Sequence, residues 1–130
     1  MKRLLPLCAL LLLFAAGEQR PGWLGFGMVY HHPTSSAGGW MHVQVIAPNS
    51  PAAKGGLKAH DVITHLDGAP LRFATDEEML AALAKIRPGD RVAFRVRRGA
   101  ETADVVVTAA PMSDEMWRLW QQNHPPAKKP

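Results

Sequence analysis

The sequence predicts a small α+β domain, with two helices set among several antiparallel strands. Three observations predict it. Trp40 to Ile46 alternates, with Met41, Val43 and Val45 on one side and His42 and Gln44 on the other, the period of a half-buried strand. Val92, Phe94 and Val96 repeat that alternation against Arg91, Arg95 and Arg97, and Arg98-Gly99-Ala100 turns the chain back into Glu101 to Thr108, giving a hairpin. Between these strands, Thr75 and Glu78 stand at capping-box spacing ahead of an apolar helical side.

In chain order, Arg20-Pro21-Gly22-Trp23-Leu24-Gly25-Phe26-Gly27 is a Gly-rich turn running into a first strand, Phe26 to Tyr30. Such a turn can point successive backbone N–H groups into one concavity, which suits a single anion such as a peptide's terminal carboxylate. His31 to Gly39 reads as a loop. After the Trp40 strand, Ser50 is a good N-cap and Pro51 suits the first helical position, so Ala52-Ala53-Lys54 makes about one turn, closed by Gly55-Gly56. Asp61 to Leu66 is a further strand, ended by Asp67-Gly68. The Thr75 helix carries Asp76, Glu77 and Glu78 at its positive end, with Met79, Leu80, Leu83 and Ile86 as its apolar side, and ends at Arg87-Pro88-Gly89-Asp90. Ser113 can cap a short C-terminal helix, residues 113–123, containing Trp117, Leu119 and Trp120.

The ends read differently. Lys2 and Arg3 precede an apolar run, Leu4 to Ala16, and Ala15 and Gly17 supply small residues at signal-peptidase spacing, so residues 1–17 read as a signal peptide cleaved after Gly17. The run is short for a transmembrane span of roughly 20 residues. A retained segment, residues 4–17, would instead anchor the domain to the inner membrane. The mature chain then carries no cysteine, since Cys8 lies in the leader and lacks the small residue that precedes a lipid-modified cysteine. Of 15 Lys+Arg against 11 Asp+Glu, losing Lys2 and Arg3 leaves 13 against 11, and nothing demands nucleic acid. Residues 124–130 read as a disordered tail.

Several of these segments, in order, resemble a PDZ domain of the kind attached to bacterial envelope serine proteases (HtrA/Deg-like). Trp23-Leu24-Gly25-Phe26 is similar to the carboxylate loop of that family. Val45-Ile46-Ala47-Pro48-Asn49-Ser50-Pro51-Ala52-Ala53 resembles its strand-to-short-helix passage. Gly56-Leu57-Lys58-Ala59-His60-Asp61-Val62-Ile63 with Asp67-Gly68 resembles the next strand and turn, and Arg87-Pro88-Gly89-Asp90 with Val96-Arg97-Arg98-Gly99 the final hairpin. The resemblance covers residues 20–111. It implies a partly open β-barrel of five to six mainly antiparallel strands with two helices, here followed by the short C-terminal helix.

It also implies a groove between the Phe26–Tyr30 strand and the Thr75–Ile86 helix that receives a peptide C-terminus. The backbone N–H groups of Leu24, Gly25 and Phe26 would take the carboxylate, with Trp23 and Gly27 flanking them. Arg20 sits where the family often places a basic residue. Leu24, Phe26, Leu80 and Leu83 would form the pocket for the terminal side chain, with Met28 nearby. Two positions depart from the pattern. His60 stands where the family usually has glycine in a left-handed turn, and so little chain precedes the loop that the usual first strand is short or missing after cleavage.

Competing readings of single features stay open at this stage. Met79, Leu83 and Ile86 share one helical stripe and Asp76, Leu80 and Leu83 a neighbouring one; one faces the core and the other the groove, and spacing does not say which. The six histidines lack zinc-ligand spacing and read as surface residues, so neither metal nor cofactor is expected. Arg91, Arg95, Arg97 and Arg98 read as a solvated face. The C-terminal helix either packs on the domain, docks a partner or lies on a membrane surface; its acidic start disfavours the last. No Gly-x-Ser-x-Gly turn or other protease core is visible, so the chain reads as no enzyme. The leading expectation is an exported, periplasmic or secreted binding module for peptide or protein C-termini, serving an envelope protease, a secretion component or protein quality control. The alternative is a structural or secretion-system scaffold with its groove idle.

Overall fold

A computed structural model of the chain describes residues 20–123. The signal segment, its cleavage point and the 124–130 tail lie outside these residues. The described elements are β1 (Phe26–His31), β2 (Trp40–Ile46), α1 (Pro51–Gly55), β3 (Val62–Leu66), β4 (Ala69–Pro70), α2 (Asp76–Ala84), β5 (Arg91–Arg98), β6 (Glu101–Thr108) and α3 (Asp114–Asn123). The strands form one antiparallel sheet in the order β1-β2-β3-β5-β6, with β4 beside β3. The partly open barrel thus takes the form of a single unclosed sheet, with β1 and β6 at its edges. The short β4 has no sequence signature, because Pro70 lacks the N–H that a ladder needs and is tolerated only at such a margin.

Alternation explains the core. Met41 and Val43 of β2, Ile63 of β3, and Val92, Phe94 and Val96 of β5 are buried, as are Val105 and Val107 of β6; α2 adds Met79. One strand does not keep its predicted faces. Between Gly27 and Met28 the β1–β2 register slips, so that Gly27 faces Val45 while Met28 faces Val43, leaving Gln44 as a bulge. One extra residue reverses every following side chain. Val45, which strict alternation places inward, is 60% exposed, and Ile46 packs on the core instead.

The helix ends behave as their caps dictate. Ser50 Oγ accepts from the Ala53 N–H at 3.2 Å, Pro51 occupies the first turn, and Gly56 closes α1 in the left-handed region at φ 92°. Thr75 Oγ1 accepts from the Glu78 N–H at 3.1 Å, while Glu78 Oε2 reaches back to the Ala74 N–H at 2.9 Å. The helix α2 stops at Ala84, two residues short of the apolar pattern, and Ile86 N–H bonds back to Leu83 O in a tight final turn. His60 does adopt the left-handed conformation, φ 73°. Its N–H donates to Val43 O at 2.7 Å, so sheet pairing holds the turn against the cost of a Cβ there.

Arg98 is not a solvated stripe residue. Its guanidinium forks onto Asp61, Nε to Oδ1 at 2.8 Å and NH2 to Oδ2 at 2.7 Å, and NH2 also donates to Gly56 O at 3.0 Å. Asp61 is 1% exposed and also accepts from the Lys58 N–H at 2.9 Å. This fork fastens the α1 C-cap and the turn into β3 to the end of β5. Arg95 pairs more loosely with Asp104, at 3.3 Å on the surface. Burial pushes the Asp61 carboxyl up, but the Arg98 and Lys58 hydrogen bonds and the Arg98 charge outweigh it and hold it below the ordinary aspartate range.

A depressed carboxylate stabilises the fold above its unfolded pKa, about 3.9, and that stability is lost as pH falls through the folded value. Asp61→Asn should therefore cost about 2–3 kcal/mol at pH 7, between a surface and a fully buried pair, because Arg98 remains one-third exposed. Denaturant titrations from pH 7 to pH 2 should also show a flatter acid decline than in the unaltered chain. An unchanged acid limb would show that Asp61 is not the group responsible.

Candidate functional site

The site begins with a turn whose peptide planes are fixed from behind. Leu24 O accepts from the Ala52 N–H at 2.9 Å, one of the donors left unpaired at the start of α1, and Gly25 O accepts from the Ala47 N–H at 2.8 Å. In a trans peptide the N–H points opposite to its carbonyl. The N–H groups of Gly25 and Phe26 therefore point away from α1 and β2. Gly25 itself has φ 88°, and a Cβ there would fall on Ser50 Cβ and within 2.8 Å of Ser50 Oγ. Glycine is required at Gly25 for conformation and for space.

The turn is braced by more distant parts of the chain. Gly22 N–H donates to Ile86 O at 2.7 Å, while Trp23 and Ala110 exchange a pair of backbone hydrogen bonds at 2.7 and 3.0 Å. The turn is thus held by the end of the α2 segment at Ile86 and by the segment after β6 at Ala110. A Cβ at Gly22 would meet Ala109 Cβ at 2.6 Å, so the two segments touch at backbone distance.

A cavity of about 460 Å³ opens between this turn, β1 and α2. From the turn and β1 it is lined by Trp23, Leu24, Gly25, Phe26, Gly27 and Met28. From α2 come Leu80, Leu83 and Ala84, which resolves the two stripes: Met79 is buried, Leu80 is 38% exposed and faces the cavity, and Leu83 touches both cavity and core. Leu24, Phe26 and Met28 alternate onto one face and pack on the core, with the Phe26 ring edge-on to Phe94 at 5.8 Å. The outward slip of Val45 brings it into the lining opposite Gly27. On its outer side β1 has no strand neighbour among the described residues.

Eight of the nine sequence-predicted site residues meet here. Arg20 does not line the cavity. Its NH1 lies 2.8 Å from Asp114 Oδ1 and 3.4 Å from Met112 O, and its guanidinium carbon sits 5.7 Å above the Trp117 ring. The lining also takes in residues not predicted for the site: Pro21, Gly22, Val45, Ala47 and Ala84 within the domain, and Met112 and Trp120 from the segment beyond it. The amphipathic run of α3 gives a sequence signal for Trp120, and it does not specify which surface α3 meets.

At the other end of β1, the Tyr30 hydroxyl donates to Phe73 O at 2.7 Å. Burial, its largest influence, pushes the phenol above its ordinary range and keeps it a donor. His32 Nε2 lies 3.0 Å from Asp76 Oδ1, tying the end of β1 to the start of α2, and His31 stacks on Trp40 at 3.7 Å. His42 and His60 face each other with ring centroids 5.7 Å apart, and no group of three or more metal-ligating side chains gathers among the described residues.

Known proteins share this arrangement. Residues 22–108 match the PDZ domain family. The serine protease HTRA1A of Danio rerio is 38% identical over 86 residues, 66% of this chain and 16% of that protein. The periplasmic pH-dependent serine endoprotease DegQ of Escherichia coli (strain K12) is 39% identical over 67 residues, 51% of this chain and 14% of that protein. The chain therefore spans about a sixth of the length of these curated relatives. Among solved structures, the HtrA3 PDZ domain bound to a phage-derived ligand (FGRWV) superposes with a TM-score of 0.53 at 25% identity, covering 68% of this chain and 84% of that one. The HtrA-type protease AlgW with decapeptide gives 0.57 at 24% identity, over 72% and 31%. With a match over residues 22–108 and the antiparallel sheet, two helices and Gly-rich turn in place, the chain belongs to the PDZ domain family.

Proposed function

We propose that this chain binds the free C-termini of peptides and proteins in the cavity between β1 and α2. The observation that carries the proposal is the fixed orientation of the turn: with Leu24 O and Gly25 O tied behind, the N–H groups facing away from α1 and β2 suit an anion site. Leu24, Gly25 and Phe26 supply these donors, Trp23 flanks them, and Gly27 leaves the strand backbone open to approach. The ligand adds to the free edge of β1 as an extra strand. Its last side chain enters among Leu24, Phe26, Leu80 and Leu83, with Met28 nearby. The HtrA3 PDZ structure, which holds a phage-derived ligand, supports this reading.

We place the work in the periplasm, in the handling of envelope proteins, on the strength of the leader-like residues 1–17 and of relatives described as periplasmic endoproteases. Export is tested by cell fractionation with intact-mass measurement. Periplasmic material lacking residues 1–17 is expected; full-length chain held in the cytoplasm would overturn it.

Carboxylate capture makes the terminal charge matter. A peptide ending in an apolar residue should bind about 10–100-fold more tightly as the free acid than as the amide, the span of a charge-assisted hydrogen-bond set. Equal affinity by fluorescence anisotropy, or none for either form, would leave the scaffold alternative.

A pair of glycine variants tests the loop. Gly25→Ala should abolish binding and cost about 2–4 kcal/mol, from the left-handed backbone and the collision with Ser50. Gly68→Ala shares the backbone penalty at φ 84° but meets open space, so it should lose only about 1–2 kcal/mol and bind normally. Equal loss of binding in both would point to general destabilisation.

A further inference from the structure

The C-terminal helix α3 is amphipathic: Met116, Trp117 and Trp120 are partly buried, while Leu119 is 51% exposed. Trp120 and Met112 reach the cavity, where they join Leu83, Ala84 and the turn residues in one lining. Trp117 and Trp120 stack on each other, ring centroids 5.3 Å apart and planes within 14°. The cavity remains open with Trp120 in place, so this side chain is a wall and not a plug.

Arg20 ties α3 to the domain. It binds Asp114 in the first turn of the helix, donates to the carbonyl of Met112 just before it, and lies over Trp117, whose ring stacks on Trp120. Charge pairing, a backbone hydrogen bond and cation–π contact all act between the start of the domain and the appended helix. The Asp114 side chain is 95% exposed and that of Arg20 25% exposed, so the pair lies at the surface.

We infer that Arg20 is a positioning residue that fastens α3 to the domain, and that Met112 and Trp120 thereby extend the pocket for the ligand's terminal side chain. The ligand class is then a peptide with a free carboxylate and a large apolar last residue, such as Leu, Met or Phe, long enough to reach the indole wall. A short last residue, Val or Ala, ends before it. This inference rests on the carboxylate-capture reading above. It assigns Arg20 to the helix and not to the carboxylate.

The test uses the full chain and a set of peptides that differ only in the last residue, Phe, Leu, Val or Ala, each as acid and amide. The unaltered chain should prefer Phe and Leu over Val by about tenfold, the worth of one well-packed apolar contact. Trp120→Ala should erase that preference while leaving the discrimination between acid and amide intact. Asp114→Asn, a change at an exposed position, and Arg20→Gln should each weaken the preference in the same direction. Joining Arg20→Asp with Asp114→Arg should restore part of it.

Two results would overturn the inference while sparing carboxylate capture. One is an unchanged terminal-residue preference in Trp120→Ala. The other is a loss of acid–amide discrimination in Arg20→Gln but not in Asp114→Asn, which would make Arg20 a carboxylate ligand. If the unaltered chain itself binds acids and amides alike, both readings fall together.

Discussion

The contact between Gly25 and Ser50 is the constraint on which the site depends. Ser50 is fully buried and caps α1, and it occupies the space where any side chain at Gly25 would stand. The turn can therefore press against the start of α1 at backbone distance. From that closeness follow the two hydrogen bonds that tie Leu24 O and Gly25 O, and from those the outward direction of the N–H groups. A helix of five residues is thus the rear support of the loop. Its own placement depends on Arg98, which bonds to the Gly56 carbonyl at the helix end and to Asp61 in the turn beyond.

The cavity is built from parts far apart in sequence, and each is held by a different force. Apolar packing fixes β1 and α2 through Phe26, Met79 and Leu83 on the shared core. Backbone pairing fixes the turn through Trp23 and Ala110. Electrostatics and ring stacking fix α3 through Arg20, Asp114 and Trp117. The last of these is the weakest and most exposed, so the wall formed by Trp120 is the part of the cavity most responsive to solvent conditions. The strand edge and turn are set by the sheet and share its stability.

Much of this was legible in the residues. Ser50-Pro51 and Thr75 announce the two helix starts because a short oxygen-bearing side chain can pair with a free N–H only there. The Arg98-Gly99-Ala100 turn and its flanking alternation give the β5–β6 hairpin for the same local reason. What misled was also local. Alternation places Val45 inside, and the bulge at Gln44, which depends on how β1 pairs with β2, puts it outside. Arg98 sits in a row of arginines that looks solvated, and its partner lies 37 residues away.

By itself, the sequence determined the number and order of most elements, their caps and turns, and the glycine at the head of the first strand. These follow from periodicity and from backbone freedom, which act over a few residues. Only the tertiary structure decided which face of α2 meets the cavity, that Arg20 turns toward Asp114 and Trp117, and that Trp120 lies in the lining. Those outcomes depend on which distant surfaces come together. An arginine or a tryptophan carries no local mark of its partner until the chain has closed around it.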